Sequence, residues 1–387
     1  MGVARNIEVI MRKIRICGVQ THYKLKKDTT GKEYLNTGGV DLARLINPLK
    51  YLDPKKFDVD IVYEVVGPNC KFKNTEDLSK HYDILYFSYM DEVKFYLELR
   101  VQGLKNKMKI AVDVDDNLWA VDPTHPFYKD DFEKGSEKNF NRSAIILDAD
   151  SVTTTSDYLK KRIQENTKVE DITVIPNFVD LELYDYKKIK PKKSDEITIG
   201  YIGGSSHFPD MNDPKFVNAM TQILNKYPNV RFKTTFFMPQ LKALWGYKYK
   251  YALGRADVYR FINELWVEMM SECDFFIAPL SHSSYSSSKS YIKALEYGAG
   301  KKAVILERIE PYQEFAGENP EEKGVFLAYS TKEWFNAMEK LVLDEKLRKE
   351  NGEKLYNEVK KNHTIQGNTK VYEKYFTVLF DKDFLVW

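Results

Sequence analysis

Two lysines and a glutamate, Lys289, Lys293 and Glu296, follow an apolar run, Asp274-Phe-Phe-Ile-Ala-Pro-Leu280, and a serine-rich stretch. The run closed by Pro279 predicts a buried parallel strand; a serine-rich loop follows, then a helix over Lys289–Gly300 and a strand at Ala303-Val-Ile-Leu306. The first N–H groups of such a helix have no partner within it and favour an anion. At about 100° per residue the three charged residues share one narrow stripe, while Ile292, Leu295 and Ala299 line the face toward the sheet. Two ammonium groups and one carboxylate projecting together suit a nucleoside diphosphate. The cations would meet the phosphates near the helix start, and the carboxylate would accept hydrogen bonds from a ribose diol about two turns on. The same stripe also reads as a solvated face with one i,i+3 ion pair.

Three further groups could do chemistry. Ile199-Gly-Tyr-Ile-Gly203-Gly204-Ser205-Ser-His207-Phe-Pro-Asp210 reads as a strand running into a glycine turn whose backbone N–H groups an anion can approach closely. It also reads as an ordinary turn with His207 at a helix start. Asn36-Thr-Gly38-Gly39-Val-Asp41 occupies the corresponding place in the first half, so two glycine loops would face each other across a cleft. Lys109-Ile-Ala-Val-Asp113-Val-Asp115-Asp116-Asn117 puts carboxylates at the carboxyl edge of a strand, where open α/β sheets bind ligands. There Asp113 and Asp115 form a D-x-D pair able to hold a divalent ion against a diphosphate. Alternatively, Asp115 and Asp116 orient an acceptor hydroxyl or cap the next helix.

Residues 241–261 interleave Lys242, Lys248, Lys250, Arg255 and Arg260 with Trp245, Tyr247, Tyr249, Tyr251 and Tyr259. That pattern fits a sugar polymer, single-stranded nucleic acid or a membrane surface, or an amphipathic insertion that buries its rings. The chain has no G-x-G-x-x-G, which counts against a nicotinamide or flavin enzyme. No H-x-x-x-H or G-x-S-x-G appears, so hydrolytic zinc and serine chemistry are unsupported.

These groups need a scaffold, and 387 residues predict two domains. With 59 basic against 57 acidic side chains, the whole chain exerts no general pull on nucleic acid or anionic lipid. Cys17, Cys70 and Cys273 lie far apart, which predicts a reducing, cytoplasmic setting rather than disulfides or a zinc knuckle. No apolar run approaches the length of a transmembrane segment, and residues 1–10 read as an extension or a short extra element. Strands are predicted at Ile14–Gln20, Phe57–Tyr63, Ile84–Ser88, Lys109–Val114, Ser151–Thr154 and Thr173–Ile175. A polar loop lies between the first strand and the glycine pair at 38–39, and helices run at Val40–Leu52 and Ser156–Gln164. A charged linker spans 186–195, after which the rhythm restarts with Ile197–Ile202, a helix at Pro214–Lys226 and Val230–Phe237. Helices at about Val258–Ser271 and Lys332–Leu343 follow. The expected architecture is therefore α/β, two Rossmann-like domains at 1–185 and 196–365, with a helix at 366–387 packing back toward the first.

In their order along the chain, Ala149-Asp-Ser-Val-Thr-Thr-Thr-Ser-Asp-Tyr-Leu159, Val174-Ile-Pro-Asn-Phe-Val-Asp180, Ile199-Gly-Tyr-Ile-Gly-Gly204 and Asp274-Phe-Phe-Ile-Ala-Pro-Leu280 through Leu295-Glu296-Tyr-Gly-Ala resemble the GT-B glycosyltransferases of the group 1, family 4-like, retaining type. The resemblance spans most of the chain. It implies transfer of a sugar, hexosyl or pentosyl, from a nucleotide-diphosphate sugar to an acceptor hydroxyl, with no obligatory cofactor and a divalent metal allowed rather than required. By the resemblance Glu296 matches the glutamate that binds the donor ribose. The Gly38-Gly39 loop matches the one near donor phosphates and acceptor, and Gly203, Gly204 and Ser205 match the loop that opens the donor half. Ser288 stands where the family carries a first glutamate, eight residues before the second, and the usual Arg and Lys after the second-half glycine loop are not evident. His207, Asp210, Lys289 and Lys293 then take part of that work, as in the branch with H-x-x-D and K-S-x-x-K patterns. The expected catalytic set is Lys289, Asp115, Asp116 and His207; the expected donor-binding set is Gly38, Gly39, Gly203, Gly204, Ser205, Asp210, Ser290, Lys293 and Glu296. The acceptor would be a glycan, a lipid-linked sugar or a modified nucleic-acid base. The rival readings are a nucleotide-sugar epimerase or phosphorylase of the same fold, and a nucleic-acid-associated protein.

Overall fold

In a computed structural model the described residues are 12–21, 23–27, 33–67, 70–125, 127–252 and 261–381. Residues 1–10, Arg255, Tyr259 and Arg260 lie outside them.

Each half is built on six parallel strands. The first sheet contains β1 (Ile14–Val19), β4 (Phe57–Val62), β5 (Ile84–Ser88), β6 (Lys109–Val114), β7 (Ser151–Thr154) and β8 (Ile172–Val174), in the order β4-β1-β5-β6-β7-β8. Every residue of β5 and β7 is buried, as expected of strands covered by helices on both faces. The second contains β9 (Ile197–Tyr201), β10 (Val230–Thr234), β11 (Tyr249–Tyr251), β12 (Phe275–Ala278), β13 (Ala303–Glu307) and β14 (Val325–Ala328), in the order β11-β10-β9-β12-β13-β14. That is the doubly wound order with its reversal between β9 and β12, where such sheets bind ligands beyond the strands' carboxyl ends. Two Rossmann-like sheets are thus present, as the sequence predicts.

The departures have local causes. The polar loop before Gly38 is an antiparallel hairpin, β2 (Tyr23–Lys27) and β3 (Glu33–Thr37), whose register pairs Leu25 with Leu35. One strongly apolar residue per five-residue strand gives too little alternation to read. The helix expected from Val40 forms as Gly39–Asp41, a π turn at Leu42–Ile46 and Asn47–Lys50. The last domain helix is followed by another, Glu345–Asn362, whose composition is mostly charged and whose buried apolar anchors include Leu355 and Val359.

The basic and aromatic segment does not form one face. Trp245 and Tyr249 are buried, with the Trp245 indole N–H donating to Thr221 at 3.0 Å. Lys248 donates to the Leu224 carbonyl, and Lys250 pairs with Glu196 at 3.1 Å. Among the described residues the segment is therefore divided: Trp245 and Tyr249 serve the core, Lys248 serves a helix end and Lys250 an acid, while Tyr247 and Tyr251 remain exposed.

Three apolar clusters hold the halves. One lies on the outer side of each sheet, and the third runs through the junction from Ile16 and Tyr86 to Trp266, Tyr297 and Phe376. The helix Ile365–Asp381 belongs to this third cluster, with Phe376 edge-on to Tyr86 at 5.3 Å and Gln366 donating to Asp180 at 2.7 Å. The 186–195 segment is tied to the second half, through the Lys190 N–H on Ser271 and Lys192 on Asp274. Among the described residues no helix is long and apolar enough to cross a membrane.

Candidate functional site

Loops from the carboxyl ends of both sheets enclose a cleft of about 550 Å³. The first half contributes Gly39, Asp115, Asp116, Asn177 and Phe178; the second contributes Gly203, Gly204, His207, Thr235, Lys289, Ser290, Lys293, Glu296 and Tyr312. Gly38 and Asp210 sit just behind the walls, and of the Ser205 side chain nothing is described. Gly38 is extended (φ −73°, ψ 155°), so its loop does not depend on the left-handed conformation. A Cβ added at Gly39 would meet nothing within 4 Å, whereas one at Gly203 would lie 2.6 Å from the Tyr201 hydroxyl. Glycine therefore keeps one wall open and lets a tyrosine pack under the other.

The Lys289, Lys293 and Glu296 stripe is built differently from the expected single helix. A short helix Ser284–Ser287 ends at Ser288, and a second begins at Ile292 and runs to Ala299, so Lys289 and Ser290 lie in the turn between them. Serine hydroxyls compete for the backbone here: Ser283 accepts the Ser286 N–H, and Ser288 donates back to the Ser284 carbonyl at 2.7 Å. The turn still brings all three charged groups to the cleft. Lys293 lies 3.3 Å from Glu296, whose other oxygen accepts the Tyr184 hydroxyl at 3.0 Å. Lys289 lies 3.3 Å from Asp116 on the opposite wall. Burial works against the Lys289 ammonium, but Asp116, Tyr285 and Asp210 outweigh it and raise its pKa above the lysine range. It is a fixed cation.

His207 gives Nδ1 to Asp210 at 2.8 Å, and the other Asp210 oxygen accepts the Ser281 N–H at 2.7 Å. Burial, reinforced by Lys289 and Lys293, pushes the imidazole below its usual range. Burial pushes the Asp210 carboxyl up, but His207 and the Ser281 N–H outweigh it and hold it below the usual carboxylate range. The pair is thus neutral imidazole on carboxylate, with Nδ1 bearing the proton and Nε2 left as an acceptor.

The D-x-D pair is divided. Asp113 is buried and takes hydrogen bonds from Arg44 on both oxygens, the shortest at 2.8 and 3.0 Å, with Thr153 donating to it as well. It faces the core, so it cannot join Asp115 around a divalent ion without leaving Arg44 unpaired in the interior. Among the described residues no group of three or more His, Cys, Asp or Glu is arranged to hold a metal.

Several groups at this site were not singled out from the sequence. Asn177 donates to Ser290 at 2.7 Å and accepts from Arg44 at 3.1 Å, and Asn117 donates to Ser288 and Ser284 at 3.2 Å. Ser288 is buried in this seam rather than lining the cleft. The Pro176-Asn177 pair, just past β8, was the available signal for the first.

Behind the serine loop, His282 Nε2 meets Glu307 at 3.0 Å, and Trp334 donates to the other Glu307 oxygen at 3.2 Å. Burial pushes the Glu307 carboxyl up to about 8, against the pull of Lys215 and Trp334. The folded protein therefore keeps a proton that the unfolded chain releases above about pH 4.3, and stability declines as pH rises through the interval to about 8. Glu307→Gln preserves a donor to His282 and an acceptor for Trp334 without the ionisation. Thermal melts should show it stabilised by on the order of a few kcal/mol at pH 8 and near parity below pH 5; a deficit at pH 8 would contradict the neutral carboxyl.

Two facing doubly wound halves with a cleft between their carboxyl edges define the GT-B class of fold. The chain is similar in structure to a glycosyltransferase from Rickettsia africae ESF-5, at 16% identity over 95% of this chain and 99% of that one, with a TM-score of 0.62. It is also similar to Anabaena HepE in complex with UDP and glucose, at 13% identity over 94% and 99%, TM-score 0.60, and to TarM, at 14% identity over 93% and 68%, TM-score 0.54. No family model matches the sequence, and no curated protein does.

Proposed function

We propose that the protein transfers a glycosyl group from a nucleotide-diphosphate sugar to an acceptor hydroxyl, with retention of anomeric configuration. One observation carries the reading: Lys289, Lys293 and Glu296 from the second half converge on a cleft whose other wall carries Asp115 and Asp116. Fixed cations suit a leaving diphosphate, the carboxylate of Glu296 suits a ribose diol, and the acidic wall suits a hydroxyl that must lose a proton. Neighbours solved with UDP, or with UDP-glucose, support a uridine nucleotide as the first donor to try. Retention rests on the family resemblance, and NMR of the first-formed anomer tests it.

The donor side is tested by calorimetry of UDP against wild type and Glu296→Ala. Loss of a carboxylate that takes ribose hydroxyls should weaken binding about 10- to 100-fold while leaving the fold intact. Unchanged UDP affinity in a folded variant would remove Glu296 from the site.

A further inference from the structure

Lys289 and Asp116 meet from opposite walls. The ammonium lies 3.3 Å from Asp116 Oδ1, the Tyr285 hydroxyl donates to Oδ2 at 3.4 Å, and the ammonium also sits over the Tyr285 ring, 4.3 Å from its centre. The Lys289 side chain is 15% exposed and that of Asp116 28%, so the pair is largely withdrawn from water. A cation so placed needs an anionic partner, and the same ammonium is the one positioned to meet a diphosphate. Two anions competing for one ammonium make donor and carboxylate alternative partners.

We propose that Asp116 stands in for the donor diphosphate on Lys289, so that donor binding releases the carboxylate to the acceptor hydroxyl and sets the order donor first, acceptor second. This rests on the glycosyl-transfer reading. No covalent bond changes in the exchange: phosphate oxygens take the ammonium, and Asp116 keeps the Tyr285 hydroxyl as its anchor while its other oxygen becomes available to the acceptor. The cost of parting Asp116 from Lys289 is subtracted from donor affinity, so the two are negatively coupled through one ammonium.

The test is a double-mutant cycle read by calorimetry with UDP, GDP, ADP and CDP, continued with whichever binds wild type most tightly. Asp116→Asn should tighten that nucleotide about five- to tenfold, yet lower turnover, because the acceptor hydroxyl loses its carboxylate. In the Lys289→Ala background the same substitution should change nucleotide affinity by no more than about twofold. A defect that merely loosened the fold would weaken binding and turnover together. Equal tightening in both backgrounds would mean only that a negative charge had been removed from the cleft, and would overturn the proposal. So would unchanged or weaker binding in folded Asp116→Asn protein while wild type binds normally. If wild type binds none of the four nucleotides, the glycosyl-transfer reading falls, and this proposal with it.

Discussion

Lys289→Ala should lower turnover about 100- to 1,000-fold while the protein stays folded. Negative charge grows on the diphosphate as the glycosidic bond breaks, and a preorganised cation in a partly dry cleft stabilises that charge more in the transition state than in the ground state. Lys289 meets the requirements: it lines the cleft, its side chain is 15% exposed, and Asp116 and Tyr285 hold it in place. Its elevated pKa means that the charge persists across the working pH range. Steady-state kinetics with a saturating donor separate this from simple loss of binding, because kcat should fall more than nucleotide affinity. Lys289→Arg should recover part of the loss, since it restores charge with a different reach. If Lys289→Ala matched wild type in kcat, the leaving-group role would pass to Lys293 or to backbone N–H groups of the glycine loop.

What the sequence made legible here follows from how each feature is encoded. Ile84–Ser88 and Lys109–Val114 were readable to the residue because strands buried on both faces are short, largely apolar runs bounded by polar turns, and Ser151–Thr154 because its valine and two threonines are β-branched. Glu345–Asn362 was not, because a mostly charged helix that packs through a few apolar anchors looks like a charged tail. In the cleft, the grouping of Lys289, Lys293 and Glu296 was legible, but its mechanism was not. A 100° wheel assumes an unbroken helix, whereas one short helix ends at Ser287 and the next begins at Ile292. Pairings across the junction, such as Asn177 with Ser290 and Tyr184 with Glu296, join residues more than 100 positions apart and leave no local pattern. Asp113 shows the same limit: its D-x-D spacing was visible, whereas the buried arginine that takes its carboxylate lies 69 residues earlier.

That arginine supports the second large expectation. Arg44→Met should destabilise the protein by about 3–5 kcal/mol, because Asp113 would be left charged and unpaired in the interior. Both side chains are essentially without solvent exposure, at 0% and 1%, so water cannot replace the lost guanidinium. Arg44 also donates to the Ile175 carbonyl at 2.7 Å and to Asn177, so its removal frees acceptors on the segment that crosses from β8 to the cleft. Urea unfolding should show the midpoint lowered in Arg44→Met and partly restored in Arg44→Met/Asp113→Asn, where the stranded charge is gone. The restored variant then isolates a second consequence. Asn177 would still lack its arginine anchor, and Asn177 holds Ser290 beside Lys289. Turnover in the double variant should therefore stay below wild type after stability has recovered. Full recovery of both would confine Arg44 to balancing one buried carboxylate and separate it from the geometry of the cleft.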